Sequence, residues 1–410
     1  MGILEKIAEI EAEMARTQKN KATEYHLGLL RGKLAKLKTQ LLEPSKSGGT
    51  HAGFEVGRYG DARVAIMGFP SVGKSSLLAE LTGVKSEVAA YEFTTLTCIP
   101  GVIYHNDAKI QLLDLPGIID GAAQGRGRGR QVISTAKSAD LILVVLDATK
   151  DDSQKKRLEA EMESVGIRLN KTPPNIKVTK KPAGGVRINA SCKRSQLDDK
   201  LIEGLLREYR IFNADVIIRE DASAEDFIDV LEGNRKYVRC VYCYNKIDML
   251  SVEQIEALAR LPHSHVMSCN LKLNLDRLKD RIWEELSMVR VYTKKKGQFP
   301  EFSNPLVITP QRGTKECNVE NAVTLLHKDL LNDFKCALVW GTSVKSSPAT
   351  AGLKHYLQDE DVIQIQKLTA AEKQKKMHGK KTGTTEAGTG NLIDPKKQLE
   401  KKQNKTGPRS

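Results

Sequence analysis

No apolar run in this 410-residue chain approaches the roughly 20 residues that a membrane-spanning helix requires, which argues against a transmembrane segment. Cysteine is sparse: seven residues scattered over this length do not make a disulfide framework, and the expected compartment is the cytoplasm. The start, Met1-Gly2-Ile3-Leu4-Glu5-Lys6, lacks the apolar stretch of a secretory leader. It also places Lys6 where a myristoylation signal needs Ser or Thr, so neither secretion nor a lipid anchor is expected. Acidic residues are in deficit, with 51 Asp+Glu against 65 Lys+Arg and a formal charge of +14. That surplus favours an anionic partner, nucleic acid or membrane surface, without saying which. The length implies two to four modules, each able to bury a core.

The chemistry starts at Gly68-Phe69-Pro70-Ser71-Val72-Gly73-Lys74-Ser75, which fits G-x-x-x-x-G-K-[ST]. An apolar run, Val64 to Met67, precedes it, and a helix-like run opening at Ser76 follows. A strand that delivers a glycine loop to a helix N-terminus cradles phosphates with backbone N–H groups. Gly68, Ser71, Val72, Gly73 and Ser76 are therefore candidate nucleotide-binding residues. Lys74 is the candidate for the β- and γ-phosphates, and Ser75 for Mg²⁺.

Downstream, Asp114-Leu115-Pro116-Gly117 closes a strand-like run from Ile110. Asp114 suits Mg²⁺ held through water, and the Gly117 N–H suits the γ-phosphate. Ile118 stands where a Ras-like enzyme carries its water-orienting glutamine, so hydrolysis is expected to be slow or to use another group. The Thr-rich stretch Ala89 to Thr97 reads either as a switch that closes on Mg²⁺ and γ-phosphate or as an ordinary strand.

The nucleobase is chosen by Asn245-Lys246-Ile247-Asp248, an N-K-x-D at the end of the strand Cys240 to Tyr244. A carboxylate at Asp248 accepts from the N1–H and N2–H₂ groups of guanine. Adenine has an acceptor at N1 and no 2-amino group, which disfavours ATP. Ser268 and Cys269 fall where a further base-contacting loop belongs, so the expected ligands are GTP and GDP with Mg²⁺. Cys240 and Cys243 form a C-x-x-C, but on a strand they point to opposite faces and do not grip one metal ion.

Asp147 and Asn245 lie 98 positions apart, too far for one crossover helix, so a separate lobe is expected between them. The expected organisation is an N-terminal helical hairpin over 1–50, a nucleotide-binding domain over 58–165 and 237–289, and an inserted lobe over 166–236. A small α+β domain over 290–367 follows, and then a Lys-rich tail over 368–410. The tail carries ten Lys and one Arg against four acids, and is expected to be disordered.

The stretches Ala8 to Lys21, Ala89 to Thr97, Asp114 to Gly117 and Ala337-Leu338-Val339-Trp340-Gly341 resemble those of the developmentally regulated GTP-binding (DRG) subfamily of Obg-like GTPases, over about residues 3 to 367. The resemblance implies an α/β fold: a P-loop GTPase domain with a mostly parallel sheet, the helical hairpin, an S5D2-like lobe and a C-terminal TGS domain. It also implies Thr95 as a Mg²⁺ and switch residue, making Lys74, Thr95 and Gly117 the expected catalytic set. Work in translation through ribosome or RNA contact is implied, with a stabilising partner of the DFRP type. Potassium assists some relatives, which carry Asn where this chain has Ser71. The rival expectation is an RNA-binding scaffold that holds nucleotide with negligible turnover.

Overall fold

The computed structural model describes residues 2–18, 20, 23–42, 59–82, 100–115, 129–195, 197–309 and 317–368. Thr94, Thr95, Gly117, Ile118 and the Lys-rich tail beyond Leu368 lie outside the described residues.

The chain opens with two helices, α1 (Ile3–Arg16) and α2 (Glu24–Leu42), rather than one bent helix. The nucleotide-binding half then runs β1 (Ala62–Met67), α3 (Lys74–Thr82), β2 (Pro100–His105), β3 (Ala108–Asp114), α4 (Gly129–Ser138), β4 (Leu141–Asp147), α5 (Ser153–Ser164) and β5 (Ile167–Leu169). A lobe follows: β6 (Ile176–Lys180), β7 (Val186–Ala190), α6 (Asp199–Glu208), β8 (Ala214–Ile218) and α7 (Ala224–Glu232). The chain returns through β9 (Lys236–Asn245), α8 (Val252–Ala259), β10 (Ser264–Val266) and α9 (Leu275–Leu286). The last domain holds β11 (Val289–Thr293), β12 (Glu301–Ile308), β13 (Cys317–Asn318), α10 (Val319–Leu326), β14 (Phe334–Trp340), β15 (Ala349–Ala351), β16 (Tyr356–Leu357) and β17 (Asp361–Lys367).

The main sheet has the order β10-β9-β4-β1-β3-β2, with β5 also on β9, and only the β2–β3 pair is antiparallel. Strands β1 and β4 are buried at every position, as parallel strands covered on both faces must be. Val64, Ile66 and Leu112 face α3 and α9, whereas Ala65, Met67 and Ile142 face α4 and α5. Cys243 belongs to the first of these layers and Cys240 to the second, so the C-x-x-C pair does point to opposite faces of β9. Burial raises both thiol pKa values.

One boundary differs from the sequence reading. Ile167–Leu169, assigned above to the lobe, pairs in parallel with Lys236–Val238 and so belongs to the main sheet. A three-residue strand has too few positions to show a period. The lobe's own sheet, β6-β8-β7, starts only after Pro173-Pro174. In the last domain, α10 ends where His327 leaves the helical region at φ −170° and accepts the Asp329 N–H on its Nδ1. A short 3-10 turn, Lys328–Leu331, takes over.

The lobe is fastened at both ends. The buried Asp229 of α7 takes a bidentate pair from Arg168 at 2.7 and 2.8 Å, and Arg235 lies 3.2 Å away. On the other side α2 packs on α6, with Gly28 and Gly32 facing Leu201 and Leu205. A Cβ at either glycine would come within 2.8 Å of a leucine methyl group. This small-residue track lets the two helices approach closely.

Candidate nucleotide-binding site

Parallel register gathers the motifs at one edge of the sheet. Ile66 pairs with Asp114, Met67 with Val144, and Asp147 with Asn245, so the loops after β1, β3, β4 and β9 leave the sheet side by side. Val266 pairs with Tyr244 and brings the loop of Ser268 and Cys269 to the same place. Open parallel sheets bind ligands at these carboxyl ends.

The phosphate loop occupies the first position. Gly73 has φ +98°, and a Cβ there would come within 2.4 Å of the Asn245 side-chain nitrogen, so only glycine fits. Ser71 also adopts a positive φ of 64°. The Lys74 ammonium donates to the carbonyls of Gly68 at 3.0 Å and Phe69 at 2.8 Å, folding over the loop it closes. Burial lowers its pKa and the charge of Asp114 opposes that shift. Ser75 and Ser76 stand in the first turn of α3, where N–H groups lack intrahelical partners.

Asp114 completes this half. Burial raises its pKa, countered by Lys74 and by a hydrogen bond from Ser75. Its buried Oδ1 has no hydrogen-bond partner, a costly arrangement that a hard cation would relieve. An all-oxygen set of Ser75 and Asp114 beside a phosphate-binding loop fits Mg²⁺.

The base-reading half is held by Asn245, which is 3% exposed. Its Nδ2 donates to the Val72 carbonyl at 2.9 Å and its Oδ1 accepts the Cys269 N–H at 3.0 Å. One amide thus ties the phosphate loop, the N-K-x-D segment and the following loop together. Lys246 takes the left-handed conformation, φ 70°, and reaches back to Asp147 at 2.7 Å. Burial would raise the Asp147 pKa, but hydrogen bonds from Lys246 and Thr149 and the lysine charge prevail and hold it below the usual carboxylate range. The fully buried Ser268 donates its hydroxyl to Asp248 Oδ1 at 2.6 Å, fixing the carboxylate that is to read the base.

The structure thus brings Gly68, Ser71, Val72, Gly73, Lys74, Ser75, Ser76 and Asp114 together with Asn245, Lys246, Asp248, Ser268 and Cys269. Within the loop expected at the base, the Cys269 N–H donates to Asn245 Oδ1. Burial pushes the Cys269 thiol up to about 11. The Asp147–Lys246 pair escaped the sequence reading, although an Asp ending the strand beside the base-reading strand was its visible trace.

The sequence matches known families along most of its length. Residues 63–181 match the model described as "50S ribosome-binding GTPase", residues 183–288 the C-terminal region of that domain, and residues 289–367 the TGS domain. Developmentally-regulated GTP-binding protein 2 of Mus musculus is 58% identical over 90% of this chain and 100% of its own length. This chain belongs to the developmentally regulated GTP-binding proteins. Developmentally-regulated G-protein 1 of Arabidopsis thaliana is 59% identical over 90% of this chain and 92% of its own length. Among solved structures, the YchF GTPase of Schizosaccharomyces pombe aligns over 76% of this chain and 99% of that one, at 13% identity and a TM-score of 0.40. As a member of the family, the chain carries a GTPase domain and a TGS domain, and its nucleotide is a guanine nucleotide. Among the described residues, no helix is long and apolar enough to cross a membrane.

Proposed function

We propose that this chain is a slow GTP-hydrolysing switch, cytoplasmic, whose nucleotide state changes its association with ribosomes or RNA in translation. The observation that carries the reading is the Asn245 tie, which couples guanine reading at Asp248 to the phosphate loop through two hydrogen bonds. Bound Mg²⁺, held by Ser75 and Asp114 and in the GTP state by Thr95, would supply charge neutralisation at the β- and γ-phosphates. Lys74 adds a positive charge that matters most as negative charge shifts toward the leaving oxygen. The Gly117 N–H is assigned to the γ-phosphate, and Ile118 in the glutamine position accounts for slow turnover. Potassium is a candidate accessory cation near Ser71.

The match to a family described as a 50S ribosome-binding GTPase and the +14 charge support the ribosome or RNA partner. A regulatory protein of the DFRP type is the second proposed partner. A scaffold that holds nucleotide without turnover is the rival reading, supported by Ile118 and the basic surplus.

Asp248→Asn tests the site. Losing two charge-assisted hydrogen bonds to guanine, each about 1.5–3 kcal/mol, lowers GTP affinity by roughly 10²-fold or more. Xanthosine triphosphate, which offers an acceptor where guanine has its 2-amino group, should gain. Unaltered preference between the two nucleotides would remove Asp248 from the base site.

A further inference from the structure

The last domain contains a groove of about 550 Å³ between the segment leaving β11 and the end of β17. Five lysines line it, among them Lys295, Lys296, Lys335 and Lys367, and no acidic side chain does among the described residues. Its floor includes Ile363, Ile365 and Leu326.

The groove exists because β11 stops early. Strand β11 pairs with β17 only over Asp361–Ile363, and the last contact is the Lys294 N–H on the Ile363 carbonyl at 2.9 Å. Strand β17 runs on to Lys367 beside β14 alone. Ile363 turns its polar groups toward β11, and the Leu368 N–H bonds the Asp333 carbonyl on the opposite side. The two-residue alternation of a strand therefore directs the N–H and C=O groups of Ile365 and Lys367 into the groove. Among the described residues, an edge of four residues, about 13 Å long, lies open beneath a rim of lysines.

We propose that this groove binds an acidic peptide segment of a partner protein, added as a short strand along Gln364–Lys367. A peptide supplies the alternating donors and acceptors that the edge lacks, at matching spacing, and its carboxylates meet the lysines on both flanks. A nucleic acid backbone answers the charge but presents no such ladder, and among the described residues no aromatic side chain lines the groove for a base to stack on. The chain's own tail, with a net charge of +7 from Leu368 onward, has the wrong sign. The proposal is independent of the nucleotide reading.

The test uses the full chain and three fluorescein-labelled probes: a hexapeptide alternating Glu and Val, its Lys–Val counterpart, and hexauridine. Fluorescence anisotropy should show saturable binding of the acidic peptide, no binding of the basic one, and weaker binding of hexauridine. Hydrogen exchange read by NMR should show the Ile365 and Lys367 amides slowed by the acidic peptide. Lys295→Glu with Lys296→Glu should weaken the complex by about tenfold or more while GTP binding is retained. Peptide binding that leaves both amides unchanged would overturn the strand-addition geometry. Hexauridine binding more tightly than the acidic peptide, or no binding of any probe, would overturn the assignment of the partner. Amides already protected in the full chain, and released by removing residues 369–410, would give the groove to the tail and overturn it as well.

Discussion

Replacing Asn245 by Ala deletes both ends of the tie between the phosphate loop and the base-reading loops. The Val72 carbonyl loses its donor and the Cys269 N–H loses its acceptor, at residues 1% and 8% exposed. An unsatisfied buried polar group costs about 1–3 kcal/mol, so two amount to about 2–6 kcal/mol. Water entering the space left by the amide brings the expected loss to the lower end, about 2–3 kcal/mol. Urea unfolding reports it directly, because Trp283 on α9 packs against the core of the nucleotide-binding domain and follows its transition. Affinity for a fluorescent GDP should fall by about tenfold or more, as three loops lose their common anchor. Asn245→Asp makes the argument sharper: it keeps an acceptor for Cys269 but sets a carboxylate oxygen against the Val72 carbonyl, and should be at least as damaging at neutral pH. A stability change in Asn245→Ala below about 0.5 kcal/mol would refute the reasoning, since that is the scale of an ordinary surface substitution.

Asp147 and Asp114 predict opposite pH behaviour. Asp147 has a folded pKa below the ordinary value of about 4, so its stabilisation is present above that value and is lost as pH falls through the folded pKa. The stability gap between wild type and Asp147→Asn should therefore stay constant from about pH 7 to 5 and close below about 4, as read by thermal unfolding. Asp114 has a folded pKa above the ordinary value, so ionising it weakens the fold as pH rises. In EDTA, Asp114→Asn should melt higher than wild type at neutral pH with no gain near pH 4, while losing Mg²⁺-dependent GTP affinity. A variant no more stable at neutral pH would contradict the burial argument.

The sequence made the site legible where function fixes the order of residues. A glycine loop between strand and helix, D-x-x-G at a strand end and N-K-x-D at the next buried strand can be read without coordinates. Their convergence follows from parallel strands whose carboxyl ends share an edge. What could not be read depends on contacts distant in sequence. Lys246 answers Asp147 across 99 positions, and Gly28 and Gly32 mean something only once α6 lies against them. The bond from the Cys269 N–H to Asn245 likewise appears only once the two loops lie side by side. Strand β5 is too short to announce itself, and the open edge of β17 is visible only after β11 has been seen to stop at Thr293.

The most direct measurement is multiple-turnover phosphate release from GTP by the purified chain, with and without ribosomes, in potassium and in sodium. The account predicts slow release by the chain alone, faster release with ribosomes, and none from Lys74→Ala under either condition. Tight GTP binding without release under any condition, or release unchanged by Lys74→Ala, would contradict it.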